Sequence, residues 1–198
     1  KTELFGAIVA AMATIFPYLA HKFPKSWHLN LTDNQGAYRG FRHGFKVGIY
    51  APRMDQSAIM FERVKLVMAT DAAKNVHRDL GVTHEVSNGN TVRLTNGSRI
   101  LCESASEQSK IEGATHHFLV VEEAQDVADL KVKKSLHPMV ASTMGTIAKV
   151  GTATTRTCDF YQTIQFNRRN EAIGGKTNHF FFPWQVGAQY NSLYAKYI

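Results

Sequence analysis

The chain has 198 residues, 44% hydrophobic, 20% charged and 11% aromatic, a mixture that excludes a disordered segment, a collagen-like fibre and a coiled coil and fits one soluble globular domain with at most a small appended piece. Two cysteines, Cys102 and Cys158, are too few and too far apart for a disulfide framework or a zinc ribbon, which favours a reducing cytosolic setting. The 23 basic residues outnumber 16 acidic ones, giving +7 with histidine neutral, a surplus that favours nucleic acid or nucleotide phosphate as partner without choosing between them.

In chain order, the apolar and small residues Leu4, Ile8, Ala11, Ala13, Ile15 and Phe16 predict a helix that begins at Thr2, is buried on most sides and stops around Pro17. Its apolar run, Ala7 to Phe16, is shorter than the roughly 20 residues of a membrane span. Glu3 and the lack of a small-residue cleavage site argue against a secretory signal. The stretch from Tyr38 to Lys46, with Arg39, Arg42 and Lys46 among aromatics and glycines, suits phosphate gripping and base stacking, and equally a surface loop. Phe45 to Tyr50 reads as a short buried strand ended by Pro52. One helix is predicted from an N-cap at Asp55 to Gly81, with Met60, Val64, Val67 and Met68 on one face. Asn88-Gly89 and Asn96-Gly97 sit between β-rich runs and predict three short hairpin-linked strands. His117 to Val121 is a continuous apolar strand of the kind buried on both faces of a parallel sheet, and it runs directly into Glu122-Glu123. A helical stretch through Leu130, Val132 and Leu136 follows, then a strand from Thr146 to Val150 and Gly151-Thr152-Ala153-Thr154. Strands alternating with helices define an α/β fold, a mostly parallel sheet flanked by helices, with a β-hairpin insertion.

Ligands of such sheets collect outside the carboxyl ends of the strands. Glu122, Glu123 and Thr152 to Thr154 fall on that edge. Adjacent carboxylates after a buried strand suit one acid that helps hold Mg²⁺ and a second that polarises an attacking water; the plainer reading is that both favour the first turn of a following helix. Lys1-Thr2 before a buried helix matches the end of G-x-x-x-x-G-K-[ST], in which loop amides cradle phosphates, the lysine reaches the β and γ phosphates and the hydroxyl coordinates Mg²⁺. The run Lys131 to Lys134 reads as a solvated helix face, and His116-His117 as core or surface histidines rather than a zinc site.

These pieces together resemble the large terminase subunit of tailed bacteriophages or prophages. They are Lys1-Thr2-Glu3, Gly48 to Pro52 with Gln56, Ile111 to Gly113, Phe118 to Gln125, Pro138-Met139, Ser142 to Thr146, Gly151 to Thr154, Phe160-Tyr161 and the segment from Asn178 to Tyr197. The resemblance implies a P-loop NTPase fold of the ASCE, RecA-like type over residues 1–177, followed by an aromatic-rich linker subdomain over 178–198. It implies ATP and Mg²⁺ as cofactors, Lys1 and Thr2 on the nucleotide, Thr2 and Glu122 on the metal, Glu123 as catalytic base, and Thr152, Ala153 and Thr154 as a coupling motif that senses the γ-phosphate. Arg39, Arg42 and Lys46 are the DNA-binding candidates. Arg53, Arg99 and Arg156 are candidates for an arginine supplied to a neighbouring subunit. The implied function is ATP hydrolysis that drives packaging of double-stranded DNA, in the cytoplasm of an infected host. The implied partners are a homo-oligomeric ring on a capsid portal and the small terminase subunit.

Two departures stand beside the resemblance. The metal-side acid is Glu122 where aspartate is usual, and the glycine loop with its strand lies outside this sequence, so the complete protein is expected to continue upstream of Lys1. The nuclease domain such subunits usually carry is not among these residues. Glu122 to Gln125 and Thr152 to Thr154 also resemble the acidic box and Ser-Ala-Thr motif of superfamily 2 helicases. A non-catalytic DNA-binding or scaffold domain is the alternative outside enzymes.

Overall fold

The computed structural model describes residues 2–26, 40–152, 154 and 156–181. Lys1, Arg39, Ala153 and most of the predicted linker segment, from 182 onward, lie outside the described residues.

A six-stranded sheet in the order β2-β3-β4-β1-β5-β6 forms the middle layer. Its strands are β1 (Lys46–Ala51), β2 (His84–Ser87), β3 (Thr91–Leu94), β4 (Arg99–Ser104), β5 (Phe118–Val121) and β6 (Thr146–Lys149). Strands β4, β1, β5 and β6 run parallel, while β2-β3 and β3-β4 pair antiparallel as the predicted hairpins. Alternation sends Val47, Ile49, Phe118 and Val120 to one face, against α1 (Thr2–Lys22) and α2 (Met54–Met68). Tyr50, Leu119 and Val121 go to the other face, against Val132, Leu136, Met139, Val140 and Phe160. The strand residues of β5 are buried on both faces, as the apolar run predicts.

Three local readings need correction. The first helix does not stop at Pro17 but continues to Lys22. Proline cannot donate to the carbonyl four residues back, that of Ala13. Here the β3-β4 turn supplies the missing donors, Ser98 Oγ at 2.7 Å and Asn96 Nδ2 at 3.0 Å. This longer helix is long and apolar enough to cross a bilayer by length and composition alone, but Val9, Ala10 and Ala13 are buried in the core beside α2. The helix predicted from Asp55 to Gly81 is two helices. Helix α2 opens after Arg53, and Thr70 starts α3 (Asp71–Leu80) by accepting from the amide of Ala73. Beyond β5, the helical stretch contains α4 (Asp129–Lys131), a π-helical turn Val132–Leu136 and α5 (His137–Ala141). Lys131 there is not solvated: its side chain is 7% exposed and its ammonium meets Ser109 O and Glu112. Helix α6 (Asp159–Ala172) carries no clear signal in the sequence. Only Asp159 and Phe160 of it are buried, too few to set an apolar period.

Candidate nucleotide site at the carboxyl edge of the sheet

Parallel pairing of β4, β1, β5 and β6 places Ala51, Ser104, Val121 and Lys149 on one rim. Thr2 opens α1, so its hydroxyl lies in a first turn whose unpaired amides and dipole favour anions. That hydroxyl donates to Oε1 of Glu122 at 2.8 Å, joining residues 120 positions apart. Glu122 is 9% exposed, and its amide donates to the carbonyl of Tyr50 at 2.8 Å. The sheet ladder thus extends one residue past β5 and fixes where this carboxylate starts.

The chain then turns sharply. Glu123 has φ +48° and ψ 46°, a left-handed conformation that costs a non-glycine residue about 1–3 kcal/mol and clusters at functional sites. Its Oε2 accepts from Gln125 Nε2 at 2.6 Å, while Gln125 Oε1 accepts from the amide of Thr152 at 3.1 Å. The two acids therefore part: one lies against the opening of α1, the other toward the connection that follows β6. Backbone bonds from Val150 to Val121 and from Ala124 to Val150 clamp the two segments together. At the base of that connection the ammonium of Lys149 pairs with Asp159, each side chain at most a tenth exposed.

Of the residues singled out in the sequence, Thr2, Glu122, Glu123 and Thr152 meet on this rim. Thr154 is exposed on the same connection. Arg42, in a 3₁₀ turn Phe41–His43, and Lys46, which opens β1, lie at the opposite edge. Arg99 pairs in register with Lys46 there. Phe41 and Phe45 of that stretch do not stand out for base stacking. Phe41 and Phe45 pack on each other at 4.8 Å between centroids and on Phe16 and His117, because β1 needs an apolar lid at its start. His116 bonds Tyr50 Oη at 3.0 Å and His117 Nδ1 accepts the amide of Lys46. Burial, helped by nearby cations, lowers both histidines to about 4. Arg53, on the rim side of β1, is held by Asp55, and Arg156 is exposed beyond β6.

The sequence alone assigns no role to Gln125, Gly151 or the Lys149–Asp159 pair, although Gln125 directly follows the acid pair and Ala124. A Cβ on Gly151 would lie 2.1 Å from Gln125 Oε1, so glycine there is what the amide contact requires. Beside Gln125 opens a cavity of about 420 Å³ lined by Glu107, Asp126 and Asp129 among others. Three carboxylates make that cavity a poor fit for a triphosphate. Among the described residues no three His, Cys, Asp or Glu come together as a metal cage. The hydroxyl and carboxylate of Thr2 and Glu122 are hard oxygen donors. They fit Mg²⁺, which uses one or two carboxylates and completes its shell with water and substrate phosphates.

Three layers, a mostly parallel sheet and a helix start meeting acids at the strand ends define an α/β domain whose ligand edge lies at the carboxyl ends of the strands. No protein-family profile matches the sequence, and no curated protein does. The ATPase domain of the large terminase of Thermus phage P74-26 is similar in structure, with 18% identity, a TM-score of 0.59, and 78% of this chain and 70% of that one covered. The large terminase of bacteriophage HK97 matches with 11% identity and a TM-score of 0.51, covering 73% of this chain and 29% of the other. The chain shares the fold of the large terminase ATPase domain.

Proposed function

We propose that this chain is the ATP-hydrolysing motor domain of a large terminase, driving translocation of double-stranded DNA into a viral capsid. The observation that carries the reading is the 2.8 Å bond from Thr2 to Glu122, which joins the opening of α1 to the acid pair on the rim where such folds bind phosphate. The shared fold supports the same assignment.

In this reading the first turn of α1 receives the phosphates. Thr2 and Glu122 hold Mg²⁺, which when bound neutralises charge on the β and γ phosphates. Glutamate in place of aspartate is accommodated because α1 and β5 bring the Thr2 hydroxyl and the Glu122 carboxylate into direct contact. Glu123, turned away from Glu122 by its left-handed backbone, orients and polarises the attacking water. Thr152 and Thr154 lie on the connection that senses the terminal phosphate. Lys1, Ala153 and Arg39 keep the roles that the resemblance implies, as do a homo-oligomeric ring, a portal and a small subunit as partners.

The test is DNA-stimulated ATP hydrolysis by the complete natural polypeptide, wild type against Glu123→Gln. Nucleotide binding is retained and turnover falls by roughly 10²–10⁴-fold, the range of a lost general base. Unchanged turnover would remove Glu123 from the reaction.

A further inference from the structure

We infer that Gln125 is a positioning residue that links the Glu123 carboxylate to Thr152, so that displacement of the connection after β6 is passed to Glu123 through one side-chain amide. The inference deepens the reading of Glu123 as base and rests on it.

The orientation of the amide follows from its partners. A backbone N–H can only donate and a carboxylate can only accept, so Oε1 faces Thr152 at 3.1 Å and Nε2 faces Glu123 at 2.6 Å. A primary amide is planar, with donor and acceptor at fixed separation; shifting one partner therefore tilts the group away from the other. The bond to Glu123 is charge-assisted and short. The same nitrogen also donates to Asp126 Oδ2 at 3.2 Å, an acceptor that can keep it when the amide turns.

The surroundings leave this amide as the adjustable link. Below it the backbone is fixed by the bonds from Val150 to Val121 and from Ala124 to Val150. Gly151 is shaped to admit Gln125, since any Cβ would collide with its Oε1. The Lys149–Asp159 pair ties the end of β6 to the start of α6, which fixes both ends of the connection. Thr152 is the residue in that connection whose amide reaches Gln125.

The test combines two readouts. In the chain described above, hydrogen exchange at the Thr152 amide reports the contact directly. Gln125→Met, close in volume but without the amide, is expected to speed that exchange, and wild-type protection in the variant would overturn the inference. In the complete polypeptide, Gln125→Met is expected to lower kcat for ATP by about tenfold or more, the scale of losing a supporting hydrogen bond, with KM within about twofold. Gln125→Glu, which sets a carboxylate against Glu123, is expected to lower kcat further and serves as the second variant if the first misfolds. Wild-type kcat in both Gln125 variants, with Glu123→Gln inactive, would overturn the link alone. Wild-type turnover in Glu123→Gln would instead overturn the assignment of the base, and the link with it.

Discussion

Glu122 and Glu123 are neighbours in sequence with opposite surroundings, and the difference comes from one backbone angle. The first acid continues the β5 ladder; the second, at φ +48°, swings toward Gln125. The acid pair and its place after a buried strand were legible in the sequence. The left-handed turn at Glu123 was not, because no glycine or asparagine marks it. Gly151 makes a sharp test at this scale. Gly151→Ala puts a methyl 2.1 Å from Gln125 Oε1, the far end of a flexible side chain, so Gln125 swings away and its contact with Thr152 is lost. Hydrogen exchange at the Thr152 amide is expected to quicken. An alanine variant as protected there as wild type would contradict the packing described.

At the scale of elements, the sequence predicted the strands well and the helix ends poorly. The β-hairpins were legible because Asn-Gly turns announce themselves locally. Helix α1 passes Pro17 only because distant residues satisfy Ala13, which no local pattern announces. Ser98 is the central piece: it is 2% exposed, donates to Ala13 O at 2.7 Å and accepts the Phe45 amide at 2.8 Å. Ser98→Ala removes both bonds; Ala13 O keeps Asn96 Nδ2, but the buried Phe45 amide is left short of a partner, costing about 1–3 kcal/mol. Thr70→Ala, which removes the start signal of α3, is expected to cost about 1 kcal/mol. Urea titration of the two variants checks the order; a larger loss at Thr70 than at Ser98 would contradict it.

Across the whole molecule, the parallel sheet separates two rims. Glu122, Glu123 and Thr152 occupy the carboxyl rim; Arg42, Lys46, Arg99, buried His116 and half-buried His117 occupy the other. This separation follows from the strand order, which alternating elements suggested but did not specify. The histidines give the molecule a pH dependence. His116 and His117 are held neutral by burial, lowered to about 4, whereas in the unfolded chain they titrate near 6.5. Their contribution is whole above about pH 6.5 and is lost as pH falls through about 4, by on the order of 3 kcal/mol per histidine. Thermal melts over this window should show Tm falling, with a shallower fall in His116→Gln. A Tm that does not change between about pH 6.5 and 4 would contradict the burial of these rings.

The proposed function depends most on the meeting of Thr2 with Glu122 as a place for Mg²⁺ and phosphate. The most direct measurement is ATP affinity of the complete polypeptide with and without Mg²⁺, compared between Glu122→Ala and Glu123→Gln. Glu122→Ala is expected to lose the Mg²⁺-dependent part of the affinity while Glu123→Gln keeps it. Equal Mg²⁺ dependence in the two variants would contradict a metal role for Glu122.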